Sequence, residues 1–173
     1  LPRGGTAHDL QRLDALLADL PVQVLWILGD LLHGPAARAH WLAQWQAWRA
    51  RHPALSIRVL RGNHDRALDA RLLGAEDAGD EVRDGPFLLR HAPPRASRAP
   101  GDGPHVLCGH LHPLAALPGL RRRWPAFWLR PGLTVLPAFS AFTAGVVPVQ
   151  ATGERLVACV EGAAIALPVH AGG

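Results

Sequence analysis

Apolar positions in the first half of the chain alternate between helical spacing and short continuous runs. After Thr6 they fall at Leu10, Leu13, Leu16, Leu17 and Leu20, which predicts an amphipathic helix N-capped by Thr6 and ended by Pro21. Val22 to Leu28 is a continuous apolar run with the length and branched content of an interior strand. A second helix is predicted over Ala36 to Arg51, where Trp41, Trp45 and Trp48 recur at i, i+4 and i+7. That tryptophan stripe reads as a packing face and not as a stacking platform for bases. Leu55 to Leu60 is the next strand, and Arg66 to Leu73 a short helix beyond a polar turn. Strand, helix and strand in that rhythm imply parallel sheet with helices on its faces.

The second half is different. Val82-Arg83 and Phe87 to Arg90 form paired short strands around Asp84-Gly85-Pro86, and His105 to Cys108 is a further interior strand. Pro93 to Pro104 is a loop rich in Pro, Arg and Gly. Strands follow at Ala126 to Leu129, Leu133 to Leu136, Arg155 to Val160 and Ala164 to Leu167. Helices fade and hairpins take over, as in an α/β chain built on a two-layered β-sandwich flanked by helices. No linker, repeat or low-complexity tract divides the sequence, so residues 1–173 are expected to form one domain.

Composition narrows the classes open to this chain. Hydrophobic residues make up 49%, as in a globular protein. No apolar run approaches the roughly 20 residues of a membrane helix, and no signal-peptide pattern opens the chain, so no membrane is expected. Cys108 and Cys159 are too few and too far apart for a disulfide framework, which makes a reducing cytoplasmic setting the default. All 18 basic residues are arginine, as a GC-rich coding sequence produces. Methionine is absent altogether, so the chain is expected to be N-terminally trimmed. A net charge of +4 tilts it mildly toward polyanions such as nucleic acid.

The chemistry gathers in four polar clusters: Gly29-Asp30, Gly62-Asn63-His64-Asp65, His91 and Gly109-His110-Leu111-His112. Each follows an apolar run. Carboxylate, amide oxygen and imidazole together are the donors that a pair of divalent ions such as Mn, Fe or Zn needs. Each cluster also has a plainer reading. Asp30 suits a turn or a helix N-cap, and Asn63-His64-Asp65 an ordinary polar turn. His91 suits a surface position, with His105 a nearby alternative to it as a ligand. In extended chain His110 and His112 would point to the same side and reach one ion each. Cys108 reads as a buried strand residue. His33 is balanced between lining a site and lying apart from it, while His8, His40, His52 and His170 count as surface residues.

In this order the four clusters resemble those of the calcineurin-like metallophosphoesterases. The resemblance implies that fold and a site of two divalent ions, with Mn preferred and Fe, Zn or Mg as alternatives. By it Asp30 bridges the ions, Asn63, His91 and His110 serve the second, and His112 serves the first. His64 faces the scissile phosphate as general acid, and Asp65 orients its imidazole. The implied reaction is phosphodiester hydrolysis by a hydroxide held between the ions. An Asp-x-His cluster, which the family carries at the end of its first strand, is not found before Thr6. That strand is therefore expected to be missing, and the first ion to keep only Asp30 and His112.

Trp124 to Gly132 and Leu136 to Gly145 resemble the small bacterial branch associated with ATP-dependent DNA ligases, with Ser140 and Ala144 where glycine is usual. That branch implies DNA as substrate in repair, with the ligase, a helicase and an exonuclease as partners. Arg61, Arg95, Arg98, Arg121, Arg122 and Arg123, with Arg66 and Arg90 nearby, would hold the DNA backbone by charge, although exposed arginines are often only solvated surface. A phosphodiesterase acting on small nucleotides and a non-catalytic metal-binding interaction module are the alternatives.

Overall fold

The computed structural model describes residues 5–31, 38–65, 69–95, 103–140 and 144–167. The chain forms two compact units, one of Leu1–Asp80 with Phe139–Phe142 and the other of Glu81–Ala138 with Thr143–Gly173. It is an α/β chain with one sheet in each unit, the class the sequence implies. Among the described residues no helix is long and apolar enough to cross a membrane.

The first unit contains helix α1 (Gly5–Asp19), strand β1 (Val24–Ile27), helix α2 (Arg38–Arg51), strand β2 (Ser56–Val59), a 3-10 turn (Ala70–Leu73) and the short strand β3 (Glu76–Asp77). Its sheet runs β1-β2-β3 with both pairings parallel, as the strand–helix–strand pattern requires. Side chains alternate across it. Ile57 and Val59 are buried with Leu10, Trp45, Trp48, Leu55 and Leu73, and Leu25 and Ile27 pack against them. On the other face Trp26 and Arg58 are cross-strand partners, with the guanidinium 5.1 Å from the ring centre, and Arg58 pairs with Glu76 at 3.1 Å.

The tryptophan stripe of α2 is a packing face. Trp48 is fully buried and Trp45 nearly so, and each such side chain contributes about 1.5–3 kcal/mol through burial. Their indole N–H groups are satisfied across the core. Trp45 Nε1 donates to the Leu73 carbonyl at 2.9 Å, and Trp48 Nε1 to Asp14 Oδ1 at 2.7 Å. Burial alone would raise the Asp14 carboxyl, but hydrogen bonds from His52, Trp48 and Arg51 outweigh it and hold the group below its ordinary value. Asp14 thus ties α1 to the end of α2. Of the short helix expected over Arg66 to Leu73, only the 3-10 turn lies among the described residues. It is closed by Gly74 at φ 60°.

The second unit is an eight-stranded sheet. Its strands are β4 (Glu81–Asp84), β5 (Phe87–Arg90), β6 (His105–Cys108), β7 (Leu114–Ala116), β8 (Arg123–Arg130), β9 (Leu133–Val135), β10 (Arg155–Val160) and β11 (Ala163–Ala166). The order is β11-β10-β8-β9-β6-β5-β4, with β7 added on β8. Hairpins supply most of the antiparallel pairs and β10 returns antiparallel to β8, while β6 runs parallel to both β5 and β9. Sequence reading does not anticipate β3 or β7, and β8 is longer at both ends than expected. The two-residue β3 and three-residue β7 are too short to show a period, and Pro125 disguises the start of β8. Trp128 packs against both buried clusters of this unit and donates to the buried Glu154 at 3.0 Å.

Candidate metal centre

Parallel strands deliver their following loops to one edge of a sheet, and each unit uses that geometry. In the first unit β1 leads into Gly29-Asp30 and β2 into Gly62-Asn63-His64-Asp65. These two turns are packed against each other. The backbone N–H of His64 donates to Asp30 Oδ1 at 3.1 Å. Asp65, 4% exposed, accepts from Gly62 N–H at 3.2 Å and from Leu31 N–H at 3.4 Å. A Cβ built on Gly62 would fall under 3.0 Å from the Asp30 backbone nitrogen, Asp30 Oδ1 and Asp65 Oδ2. Only glycine allows that approach. Asn63 and His64 are exposed at the tip of the turn.

In the second unit β5 leads into His91 and β6 into Gly109-His110. His91 is buried, and its carbonyl accepts from Gly109 N–H at 2.9 Å. His91 Nε2 stands 3.0 Å from His110 Nδ1, with the rings edge to face at 4.9 Å between centres. His105, the alternative to His91, is turned to Thr134 Oγ1 at 2.9 Å. The structure therefore groups His91, and not His105, with His110. His112 Nδ1 donates to the Ala144 carbonyl at 3.0 Å, which leaves Nε2 with its lone pair exposed to a ligand role. The Ala144–Val146 segment backs this loop, with Leu114 N–H bonded to the Val146 carbonyl at 2.7 Å. A Cβ on Gly145 would fall under 3.0 Å from the His112 carbonyl oxygen.

The expectation that His110 and His112 lie in extended chain is incorrect. Both adopt left-handed backbone, at φ 67° and 48°, in a bend beyond the end of β6. Asp30 does the same at φ 54°, after Gly29 at 86°. Among the described residues one other non-glycine, Glu161 at φ 47° in the β10–β11 turn, shares that region. Left-handed backbone is uncommon for side chains other than Asn, Asp and His, and such strain concentrates at functional sites.

The residues fit a divalent ion. Two imidazole nitrogens 3.0 Å apart match neighbouring ligands that each sit about 2.1 Å from one ion at a right angle. The same spacing suits an N–H···N hydrogen bond when no ion is bound. Cys108 offers no thiolate to such an ion. It is fully buried in β6, and burial, against the opposing pull of Arg90 and Arg130, pushes its thiol up to about 12.

The arginines are less uniform than the sequence suggests. Arg61 is engaged. Its Nε and Nη2 both reach Asp77 Oδ2, at 3.2 and 2.8 Å, and the pair raises the guanidinium and lowers the carboxyl. Arg90 pairs with Glu81 at 3.3 Å. Arg95 is exposed, as are Arg121, Arg122 and Arg123, with Arg122 4.1 Å above the Trp124 ring centre. Arg98, Arg66, His33, Phe142 and the side chain of His40 lie outside the described residues. Sequence reading places Ala144 and Gly145 in the segment that resembles the ligase-associated branch but misses what they do, since nothing in the sequence says that they back His112.

No protein-family model matches this chain, and no curated protein matches it. Among solved structures it is similar to the Pseudomonas putida nuclease MPE, with 35% identity over 95% of this chain and 81% of that one and a TM-score of 0.81. The fold expected from the sequence is borne out by that likeness. At this identity and coverage the chain belongs to the family of the Pseudomonas putida nuclease MPE.

Proposed function

We propose that this protein is a metal-dependent nuclease that hydrolyses phosphodiester bonds in DNA. Its ion ligands are Asp30, Asn63, His91, His110 and His112, and His64 is its general acid. The observation that supports this most directly is the spacing of His91 and His110 just beyond the ends of neighbouring parallel strands, in a chain of a nuclease's family. On the resemblance to calcineurin-like metallophosphoesterases, two divalent ions occupy the site, with Mn preferred. When bound, such ions neutralise charge on phosphate oxygens and make water acidic enough to act as a nucleophile near neutral pH.

The chain's own residues supply the rest. His64, exposed at the tip of its turn, reaches outward to give a proton to the leaving 3′ or 5′ oxygen. Its backbone is fixed by the bond from its N–H to Asp30, so the imidazole is presented from a stationary turn. His112 is held in one tautomer by the Ala144 carbonyl. Arg95, Arg98 and Arg121 to Arg123 bind DNA phosphates without reading sequence, and Arg61 joins them only by leaving Asp77. A role in repair beside an ATP-dependent DNA ligase, a helicase and an exonuclease rests on the resemblance of Trp124 to Gly132 and Leu136 to Gly145.

The test compares wild type and His64→Ala on two diesters. On DNA the variant loses about 10²–10⁴-fold in turnover, the usual worth of a general acid. On a nitrophenyl diester, whose leaving group needs no proton, the loss is much smaller. Equal losses on both substrates rule out the acid role, and no Mn-dependent hydrolysis of DNA by wild type rules out the function.

A further inference from the structure

Asp30 and Asp65 each cap the turn that carries the other. Asp30 Oδ1 accepts the N–H of His64, and Asp65 Oδ2 accepts the N–H of Leu31, the residue directly after Asp30. The Asp65 oxygen also takes Gly62 N–H, while Asp65 N–H closes its own turn on the Gly62 carbonyl at 3.3 Å. Asp65 is buried, whereas His64 beside it is exposed. A buried carboxylate that collects backbone N–H groups from two separate turns fixes their separation, because losing it leaves those donors unsatisfied.

From this reciprocal bonding we propose that Asp65 is a positioning residue for the ion ligand Asp30, independently of any service to His64. The inference rests on the proposed metal site. Asp30 holds left-handed backbone at φ 54°, a conformation that relaxes unless its surroundings enforce it. Leu31 N–H is the first backbone donor after that strained residue, so Asp65 grips the turn where it is most able to unwind. The Asp30–His64 bond supplies the return tie, and Gly62 provides the space in which both carboxylates meet.

The experiment titrates Mn²⁺ into the full chain by calorimetry for wild type, Asp65→Ala, Asp65→Asn, His64→Ala and His64→Ala/Asp65→Ala. Exchange of the Leu31 and Gly62 amides is followed in parallel without added metal. Asp65→Ala is expected to weaken Mn²⁺ binding by about 10–100-fold, as loss of a residue supporting a ligand does. The same loss should appear in the His64→Ala background, while His64→Ala alone leaves affinity unchanged. Asp65→Asn keeps an oxygen acceptor and should recover part of the loss; it also carries the comparison if Asp65→Ala does not fold. Both amides should exchange faster in Asp65→Ala. Wild-type affinity and unchanged amide exchange in Asp65→Ala overturn the inference and leave Asp65 serving His64 alone. If wild type binds no Mn²⁺, the metal reading fails instead, and the amide exchange alone then decides: faster exchange upholds the tie and unchanged exchange overturns it.

Discussion

Gly62→Ala should be among the most damaging single-methyl additions available to this protein, and its size can be worked from the turns it separates. The new Cβ would lie under 3.0 Å from the Asp30 backbone nitrogen and from Asp30 Oδ1, and 2.9 Å from Asp65 Oδ2. One of these neighbours is backbone and the other two are oxygens already engaged in hydrogen bonds, so no flexible side-chain end is there to swing away. Relief requires the Asp30 and Gly62 turns to move apart. Overpacking of this kind costs about 1–3 kcal/mol. Parting the turns also stretches the His64 N–H bond to Asp30 and the Leu31 N–H bond to Asp65, each worth about 1 kcal/mol. The stiffer unfolded chain of an alanine returns about 0.4–1 kcal/mol. The net loss is about 2–4 kcal/mol.

Urea unfolding followed by far-UV circular dichroism measures it, with Gly85→Ala as the internal standard. Gly85 lies in the β4–β5 turn at φ 56° with nothing within 4 Å of an added methyl group, so its substitution carries conformational strain alone, about 1 kcal/mol. If Gly62→Ala costs no more than Gly85→Ala, the two turns are not held at contact and the close approach is incidental.

Three further outcomes follow from other parts of the molecule. Cys108, fully buried with its thiol pushed up to about 12, should stay inert to a thiol reagent until the protein unfolds, while the partly exposed Cys159 reacts in the native state; native labelling of Cys108 would refute this. For Glu154, burial pushes the carboxyl up, but hydrogen bonds from Ala151, Arg130 and Trp128 outweigh it and leave the group below its ordinary value of 4.5. Its folded value being the lower one, Glu154 stabilises above the unfolded value and loses that contribution as pH falls through the folded value, so wild type should be more acid-sensitive than Glu154→Gln between about pH 5 and 3 in urea titrations. Neutralising Arg121, Arg122 and Arg123 together should lower the log–log salt slope of DNA binding by about 2–3 and weaken all sequences alike, whereas an unchanged slope marks the tract as solvated surface.

Element positions were legible where burial imposes a period. The α2 stripe, the β4–β5 hairpin and strands β6 and β10 lie where apolar spacing and turn residues put them, because α2, β5, β6 and β10 each pack one face on a core. The short β3 and β7 were not legible, since pairing partners far along the chain define them and not their own composition. Ligand-type residues were legible for a related reason. Polar residues that end a buried run need a purpose, and His91 and His110 are brought together by two such run ends. Arg61 shows the opposite case. Its position beside the Gly62 turn suggested a phosphate contact, but Asp77, sixteen residues on, already engages it across the β2–β3 pairing edge. Sequence spacing cannot reveal that partner, because a two-residue strand carries it.

The left-handed residues show how the candidate site and the fold constrain one another. Asp30, His110 and His112 each carry strain on the order of 1 kcal/mol that an ordinary turn would place on glycine. Asp and His tolerate this region better than most side chains, yet tolerance does not explain why a strained position holds a ligand-type residue in three separate instances. Each is restrained from a different direction. Asp30 is gripped through Leu31 by Asp65 and through its own carboxylate by His64 N–H. His110 faces the buried His91. His112 is held by the Ala144 carbonyl, with Gly145 passing too close for any side chain. If the strain were only a by-product of tight turns, substituting glycine at these three positions would stabilise the protein and leave Mn²⁺ affinity to fall by no more than alanine substitution does. If the surroundings are built to hold these side chains, as the restraints imply, glycine there should instead be less stable than wild type, and alanine less stable still because it keeps the strain and loses the side-chain contacts, while both lose the ion equally. The difference between glycine and alanine at one position thus measures the strain, and their shared loss measures the ligand.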